Sequence, residues 1–369
     1  MDNTAWVAAL SPWPEEFGLD RIRTLLSRLG DPQLAYPSIH VVGTNGKTTT
    51  VRLTEALLAG AGLRVGAYMS PHVTTWAERI RVADQEVDFE AAIGRVRRDA
   101  EQVGATQFEV LTAAALAAFA DAGVDVAVVE AGLGGRLDAT NVLRSPVQVL
   151  TNVALDHTDV LGETREAIAA EKLAVVQARA AVVLGEPEWA PMARSQGAGD
   201  VTLVSRSNLA LAHAAAEAFL GRPVDAGPAS DVQVPGRLER FTESPLEIHD
   251  GAHNLNGVGY LLARIPTRRY VIVASILADK NAAGMLGALS ALGDTLVATR
   301  STNPRALAAA EIASLAEPKF ARVDTVDDPA GAVARARELA GRDGAVLVTG
   351  SLYLLADLYR ADVPSASAT

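Results

Sequence analysis

The sequence of 369 residues contains no cysteine and no dense cluster of lysine and arginine. Without cysteine, disulfides and thiolate metal sites are excluded, and the composition suits a reducing compartment. The net charge of −11 argues against a nucleic-acid or membrane-surface partner. Anionic ligands must therefore be bound by local sites.

A secretory signal and long hydrophobic runs are also missing. The N-terminal stretch MDNTAWVAALSPWPEEFGLD has no basic start followed by an apolar core. The longest apolar runs have the length of strands and stay below the roughly 18 residues of a membrane span. We therefore expect a cytoplasmic monomer with small-molecule partners, and no nucleic-acid or membrane partner.

Short runs rich in Val, Ile and Leu alternate with Ala-rich helical stretches, which is typical of βα units around a mainly parallel, buried sheet. The predicted strands are 38–43, 64–69, 124–132, 147–153 and 180–186, followed by 245–249, 269–275, 294–299, 320–326 and 345–350. The predicted helices of the first part are 47–60, 108–122 and 164–178. We expect the Ser/Ala-rich tail after Val363 to be frayed.

The Gly- and Pro-rich segment 221–237 interrupts this alternation and indicates a linker. A chain of this length favours two domains. We therefore predict an N-terminal α/β domain with a mainly parallel sheet at residues 1–228. A smaller, Rossmann-like α/β domain is predicted at residues 229–369.

A glycine-bounded polar turn, GTNGKT, links the first predicted strand to the first predicted helix. Backbone N–H groups at a helix N-terminus bind phosphate, Lys47 can neutralise terminal phosphates, and the Thr48 hydroxyl can ligate Mg²⁺. The strict phosphate-loop pattern needs glycine where this chain has Val41, so the match is to the shorter variant G-x-x-G-K-[ST]. An ordinary turn with a solvated lysine is the alternative, and the strand–turn–helix context favours a phosphate loop.

Charged residues follow two later strands. Glu130 ends the strand at 124–132, and Asp156, His157 and Asp159 come after the next strand. The carboxyl ends of parallel strands share one edge of the sheet, where α/β proteins bind ligands, and carboxylates suit Mg²⁺. Lys172 lies on a mostly apolar helix, and its spacing leaves open whether it serves the site or extends along the surface.

These residues belong to a longer series of motifs: GTNGKTT, SPH with ERIRV, FEVLTAAAL, EAGLGGRLDATN, LDHTDVLG, EK, PGRLE, DGAHN, DKN and VLVTGSLYLLADL. In their order and approximate spacing, from about Phe17 to Leu358, they resemble the dihydrofolate synthase/folylpolyglutamate synthase family of the Mur ligase superfamily. The resemblance implies a Mur ligase-like fold and ATP-dependent amide formation. A pterin-bearing carboxylate would take the γ-phosphoryl group of ATP, and the amine of glutamate would attack the acyl phosphate.

The resemblance also implies a role for each matching residue. The ATP phosphates would be held by Gly43, Thr44, Asn45, Gly46, Lys47, Thr48 and Thr49. Two Mg²⁺ ions would be bound by Thr48, Ser70, Glu130, His157 and Lys172, the last as a carbamate. Further nucleotide contacts would come from Asn208, Arg237 and Asp250. The pterin side would be formed by Gly18, Leu19, Phe108 and Asp138.

His253, in the DGAHN block with Asn254, would face the reaction from the second domain. The catalytic set implied by the resemblance is then Lys47, Glu130, His157, Lys172 and His253.

The chain departs from the family pattern in several places. It has Lys47-Thr48-Thr49 where the folate branch has glycine after lysine, Leu173-Ala174-Val175 after Lys172, and Leu255 after DGAHN in place of proline. The region 185–208 is short, as if a strand-bearing stretch were missing. These changes keep the phosphate and metal residues but leave open which acceptor is used.

The leading hypothesis is an ATP-dependent acid–amino-acid ligase that adds L-glutamate to 7,8-dihydropteroate, to folates, or to both. A Mur-type ligase acting on a UDP-linked peptidoglycan precursor is the alternative that Lys-Thr-Thr favours. A P-loop switch ATPase that regulates a partner protein is the alternative from a different functional class.

Overall fold

The computed structural model describes residues 2–362, so the tail expected to fray after Val363 lies outside the described range. The chain forms two compact units, Met1–Val232 and Gln233–Thr369. The division expected after residue 228 falls inside the short 3₁₀ helix Gly227–Ala229. A Cβ at Gly60 would lie 2.4 Å from Cγ of Pro228, so this turn packs closely on the N-terminal unit.

The N-terminal unit is an eight-stranded sheet with helices on both faces. Its strands are β1 (Ser38–Val42), β2 (Val65–Tyr68), β3 (Ile80–Val82), β4 (Gln85–Glu86), β5 (Val126–Glu130), β6 (Val147–Leu150), β7 (Ala181–Leu184) and β8 (Asp200–Leu203). Its helices are α1 (Asn3–Ala9), α2 (Asp20–Arg28), α3 (Lys47–Gly60), α4 (Phe89–Val103), α5 (Gln107–Ala122), α6 (Thr158–Leu161), α7 (Arg165–Leu173), α8 (Ala190–Ser195) and α9 (Asn208–Leu220).

The strand order in this sheet is β4-β3-β2-β5-β1-β6-β7-β8. All neighbouring pairs are parallel except β2–β3 and β3–β4. Alternate residues of the inner strands point to opposite faces. Ile39 and Val41 therefore join a core with α3 and α9, while Ala127 and Val129 join a core with α2, α4 and α5. Burial on both faces explains why these strands are continuous apolar runs.

The C-terminal unit is a six-stranded sheet of the order β13-β12-β11-β14-β10-β9, parallel except for β9–β10. Its strands are β9 (Glu239–Glu243), β10 (Leu246–His249), β11 (Val271–Ala274), β12 (Thr295–Ala298), β13 (Arg322–Thr325) and β14 (Ala345–Thr349). Its helices are α10 (Leu255–Leu262), α11 (Ala282–Leu289), α12 (Ala309–Ala316), α13 (Pro329–Ala340) and α14 (Leu352–Asp362). None of the helices among the described residues combines the length and the apolar content that a bilayer crossing needs.

The predicted α/β class is confirmed, and each predicted strand overlaps an observed one. The structure adds β3, β4, β8 and β9, which lie at or near sheet edges. β4, β8 and β9 are largely exposed, and β3 is a three-residue strand that is partly buried. Such strands have no continuous apolar run to reveal them. The short region 185–208 still contains an edge strand, β8, which pairs with β7. Helix α7 ends at Leu173, earlier than the predicted 178.

Candidate active site

The turn that follows β1 is held in place by the residues that follow β6. Thr44 N donates to the carbonyl O of Asn152 (2.9 Å), and Asn45 N donates to Asn152 Oδ1 (3.0 Å). Thr151 Oγ1 donates to the carbonyl O of Asn45 (2.7 Å). The phosphate-loop segment is therefore fixed at the carboxyl edge of the sheet, at the start of α3, where helix N–H groups can bind phosphate.

Two glycines of this loop are required by close packing. A Cβ at Gly43 would lie 1.8 Å from Thr151 Oγ1, and one at Gly46 would lie 2.5 Å from Asn208 Oδ1. Their φ values of +148° and +82° are also rare for residues with a side chain. Asn208 begins α9, so the structure places this predicted nucleotide contact directly beside the loop.

Several predicted site residues converge on Glu130, the last residue of β5. Thr48 Oγ1 donates to Glu130 Oε2 (2.9 Å), and Ser70 N donates to the same oxygen (3.2 Å). Lys47 Nζ lies 3.8 Å from Glu130 Oε1. The Glu130 side chain is only 2% exposed, and a charge so deeply buried needs such partners.

The oxygen donors around Glu130 fit a magnesium ion. Thr48, Ser70 and Glu130 carry hard oxygen atoms at the mouth of the phosphate loop. Mg²⁺ takes few protein ligands and completes its octahedron with water and substrate phosphates. No three His, Asp or Glu side chains in the range 2–362 form a ready-made ion site. The donor set therefore suits an ion that a nucleotide helps to bind.

Lys172 lies in the interior, which excludes the surface-lysine alternative. Its side chain is 4% exposed, and Nζ donates to the carbonyl O of Gly43 (3.0 Å). Burial, and next the charge of Lys47, lower the pKa of Lys172 to about 7. The amine is therefore poised between its charged and neutral forms near neutral pH, directly behind the phosphate loop.

His157 follows β6 at the same edge of the sheet. It adopts a left-handed conformation (φ +50°) at the start of α6, and its Nε2 lies 4.0 Å from Asp156 Oδ1. The imidazole is partly exposed, so it is accessible to a ligand from solvent. Its role as a metal ligand stays a prediction.

The predicted pterin-side residues separate into two groups. Gly18, Phe108 and Asp138 line one cavity of the N-terminal unit. Leu19 packs against the hydrophobic core formed with α2, α4 and α5. The cavity has a volume of only about 30 Å³ in this structure, which is room for about one water molecule. Its aromatic ring and buried carboxylate have the chemistry to bind a flat heterocycle with N–H donors, and such a ligand requires the lining side chains to move apart.

The motif GLGGRLD after β5 brings this cavity close to Lys172. A Cβ at Gly132 would lie 2.5 Å from Cζ of Phe108, and one at Gly135 would lie 2.7 Å from the carbonyl O of Lys172. Only glycine permits these approaches. The motif therefore connects α5 and α7 and positions Asp138 between them.

The predicted residues of the C-terminal unit cluster after β10. Both carboxylate oxygens of Asp250 accept backbone bonds, from Leu238 N (2.9 Å) and Ala252 N (2.9 Å). A Cβ at Gly251 would lie 2.8 Å from Nη1 of Arg237, so the glycine makes room for the guanidinium. Burial raises the pKa of Asp250, and the bonds oppose that rise.

The two remaining predicted residues lie just beyond. His253 Nδ1 is 2.9 Å from the carbonyl O of Gly251. A carbonyl only accepts, so Nδ1 carries the hydrogen and Nε2 is the basic nitrogen of the neutral ring. Asn254 Oδ1 accepts from Gly257 N (2.8 Å) and caps α10. The structure thus gives Asn254 a structural task.

Comparison with known proteins identifies both units. The Mur ligase middle domain matches residues 41–219, and the Mur ligase glutamate ligase domain matches residues 236–352. A dihydrofolate synthase/folylpolyglutamate synthase of Mycobacterium tuberculosis is 35% identical and covers 86% of this chain and 82% of its own length. The chain belongs to the dihydrofolate synthase/folylpolyglutamate synthase family.

Solved structures of this family have the same fold. Escherichia coli FolC in complex with DHPP and ADP has a TM-score of 0.89 at 31% identity, covering 98% of this chain and 97% of that chain. The Yersinia pestis bifunctional folylpolyglutamate synthase/dihydrofolate synthase, complexed with AMPPNP and a Mn ion, has a TM-score of 0.87 at 31% identity, with 98% of both chains covered. The predicted family, fold and enzyme class, an ATP-dependent acid–amino-acid ligase, are confirmed.

Family membership decides among the sequence-based hypotheses. The relatives are glutamate ligases of folate metabolism by name, and the peptidoglycan-type alternative agrees with the Mur ligase domains only loosely. Nothing in these comparisons favours a switch ATPase. The nucleotides and the Mn ion in the relatives support ATP and a divalent cation as ligands of the family.

Sequence reasoning missed several residues that shape this family's site here. Thr151 and Asn152 hold the phosphate loop, and a polar pair immediately after a buried strand was their signal. Trp13 lines the cavity as well, and its ring centroid lies 6.3 Å from that of Phe17. Lys172 was predicted, but the residue pattern alone left its role open. The chain has only four lysines, two of which lie at this site, and this rarity was an unused signal for Lys172.

Proposed function

We propose that the protein joins L-glutamate to 7,8-dihydropteroate, to a reduced folate, or to both, by way of an acyl phosphate. The observation that carries the proposal is the convergence of Thr48, Ser70 and Lys47 on Glu130 at the mouth of the phosphate loop. This cluster borders the same glycine motif that shapes the cavity of Phe108 and Asp138. Phosphate chemistry and an acceptor cavity therefore occur in one unit.

In the first step, a carboxylate oxygen of the acceptor attacks the γ-phosphorus, and the bond to ADP breaks. The loop N–H groups from Gly43 to Thr49 bind the phosphates, and Lys47 neutralises charge on them. Lys47 Nζ lies 3.4 Å from the carbonyl O of Thr44 and 3.8 Å from Glu130 Oε1, beside the loop where the phosphates would bind.

A divalent cation, when bound, screens the repulsion between the acceptor carboxylate and the γ-phosphate. Thr48, Ser70 and Glu130 would hold one ion, and His157 with Lys172 would hold a second. Glu130 is oriented by the two donors that meet at its Oε2. We propose two ions because the acceptor carboxylate and the γ-phosphate are both anionic and repel each other.

In the second step, the amine of glutamate attacks the acyl carbon and phosphate leaves. The amine has to lose a proton, and His253 is our candidate base because its Nδ1–H is committed to the carbonyl O of Gly251. Arg237 and Asp250 are proposed as further nucleotide contacts. Asp250 acts on the loop of Arg237 through Leu238 N, which gives it a positioning task as well.

We further propose that Lys172 is carbamylated. Only a neutral amine reacts with carbon dioxide, and a pKa near 7 makes a large neutral fraction available at neutral pH. The carbamate would replace a cation with an oxygen ligand. ¹³C-labelled bicarbonate should give a carbamate carbon resonance in the wild type that Lys172→Ala lacks, and turnover of that variant should collapse.

The function is tested by ATP-dependent incorporation of labelled glutamate with 7,8-dihydropteroate in one reaction and a monoglutamyl tetrahydrofolate in another. Product from both acceptors indicates a bifunctional synthase, and product from one acceptor identifies the activity. Glutamate-independent ATP hydrolysis at a comparable rate would contradict the proposal and favour a switch. Product with a UDP-linked peptidoglycan precursor alone would favour the Mur-type alternative.

A further inference from the structure

A buried chain of polar side chains runs from the central strand β1 to the acceptor cavity. His40 lies in β1 between β5 and β6 and is 1% exposed. Its Nε2 is 2.8 Å from Thr140 Oγ1. Thr140, fully buried, donates to Asp138 Oδ1 both from Oγ1 and from its backbone N (3.0 Å). Neither His40 nor Thr140 has a task in the mechanism proposed above.

The directions of these bonds follow from the chemistry of the groups. The hydroxyl of Thr140 donates to Asp138 Oδ1. Burial raises the pKa of the Asp138 carboxyl, and the bonds that Thr140 and Leu133 donate oppose that rise. The oxygen of Thr140 must then accept from Nε2–H of His40. Burial lowers the pKa of His40 to about 4, so the ring is neutral at pH 7, with its hydrogen on Nε2.

The other oxygen of Asp138 is also held. Leu133 N, in the glycine motif, donates to Asp138 Oδ2 (2.7 Å). The two backbone donors hold the loop, and the Thr140 hydroxyl adds a third, charge-assisted bond to the carboxylate. A neutral histidine in an otherwise apolar strand is costly to bury unless it is hydrogen-bonded. Thr140 supplies the hydrogen bond that buried His40 needs, and the same hydroxyl holds the Asp138 carboxylate.

We infer that His40 and Thr140 are positioning residues for the acceptor substrate: they fix the Asp138 carboxylate so that it accepts hydrogen bonds from the N–H groups of a heterocycle in the cavity. This inference rests on the proposed function. Because His40 lies on β1, which continues into the phosphate loop at Gly43, the same strand carries the phosphate loop and orients the acceptor carboxylate.

The test compares Thr140→Val, Thr140→Ser and His40→Phe by steady-state kinetics, together with direct binding of ADP. Thr140→Val keeps the shape of the side chain and removes the hydroxyl. We expect it to raise KM for 7,8-dihydropteroate about tenfold and to leave KM for ATP and the Kd of ADP unchanged. Thr140→Ser should restore KM for the acceptor, and His40→Phe should raise it by a smaller factor.

Thr54→Val is the matched control. Thr54 is a fully buried threonine of the same unit, and its hydroxyl donates to the carbonyl O of Thr50 in its own helix (2.7 Å). An unchanged acceptor KM in Thr140→Val overturns the inference. Equal rises in the ATP and acceptor KM values also overturn it, because they indicate a general effect on folding. A wild type that binds ADP but uses no pterin acid would refute the proposed function itself, and the inference with it.

Discussion

The carboxyl ends of the two parallel sheets carry different chemistry. In the N-terminal unit, Lys47 follows β1 and Glu130 ends β5. In the C-terminal unit, Ser275 follows β11, Thr299 follows β12 and Thr349 ends β14, and all three are buried. The two sheets share an architecture, but the N-terminal edge pairs a lysine with a buried glutamate, whereas the C-terminal edge carries hydroxyls at three strands and the buried Asp250 carboxylate after β10.

This difference shows that the architecture offers an edge for binding while the residues placed there decide the reaction. A triphosphate needs cations and a metal-binding carboxylate, and the N-terminal edge supplies both. Lys47 and Lys172, two of the four lysines in the chain, lie there. We expect Lys47 and Glu130 to serve catalysis and the buried groups of the C-terminal sheet named below to serve stability, and the following variants test that difference.

The largest effect is expected from Lys47→Ala, which removes the cation of the phosphate loop. Turnover should fall about 10³-fold, because a group that neutralises charge in the transition state is lost. Lys319→Ala is the control in the C-terminal unit, where Nζ bonds only the carbonyl O of Leu315 among its described partners. Turnover of Lys47→Ala within tenfold of the wild-type value would contradict the role of the phosphate loop in the mechanism.

A second comparison pairs two buried glutamates, one from each sheet. Glu130→Gln should lower turnover about 10²-fold and raise the Mg²⁺ concentration needed for half-maximal activity, because the ion loses its carboxylate. Glu247 in β10 is bonded to His249 (2.7 Å) and Arg337 (2.6 Å).

Glu247→Gln should instead lower the free energy of unfolding by about 1–3 kcal/mol, with the Mg²⁺ dependence unchanged. Mg²⁺ titrations and urea unfolding of both variants measure the two effects. An equal change in the Mg²⁺ dependence of Glu130→Gln and Glu247→Gln would contradict the role of Glu130 as the metal-binding carboxylate.

The third prediction concerns stability and pH. The pKa of Lys172 is lowered to about 7 by burial, so between pH 7 and 10.5 the unfolded chain binds a proton that the native state lacks. The wild type should therefore become more stable as pH rises through this window. Lys172→Met lacks this contribution and should be more stable than the wild type by about 1–4 kcal/mol at pH 7.

The difference in the free energy of unfolding between Lys172→Met and the wild type should become smaller towards pH 10. Urea unfolding of both proteins at pH 7 and pH 10, in bicarbonate-free buffer, gives the comparison. If the difference in the free energy of unfolding were the same at pH 7 and pH 10, the lowered pKa of Lys172 would be contradicted.

The smallest effects are expected at the hydroxyl edge of the C-terminal unit. Ser275 Oγ accepts from Ser301 N (3.0 Å), so Ser275→Ala should cost about 1 kcal/mol because it leaves a buried N–H without its acceptor. Ser301 Oγ has no hydrogen-bond partner among the described residues, and Ser301→Ala should change stability by less than about 0.5 kcal/mol. Thermal unfolding of the two variants measures both losses of stability. A larger loss of stability in Ser301→Ala than in Ser275→Ala would contradict this prediction.

The sequence was most informative where the local pattern and the burial agree. The inner strands are apolar because both faces are covered, and GTNGKT lies between a strand and a helix, so β1, α3 and the phosphate loop followed directly. The edge strand β9, with the sequence ERFTE, gave no such signal, because an edge strand exposed to water needs no apolar run.

What the sequence determined by itself is the class of chemistry. The phosphate loop, the carboxylate at the end of β5 and the order of the family motifs indicate an ATP-dependent ligase, and each motif consists of residues close together in the chain. Only the tertiary structure decided that Lys172 is buried behind Gly43 and that His40 reaches Asp138 through Thr140. Gly43 and Lys172, like His40 and Thr140, lie far apart in sequence. Their contacts depend on the tertiary fold, which the local sequence pattern does not reveal.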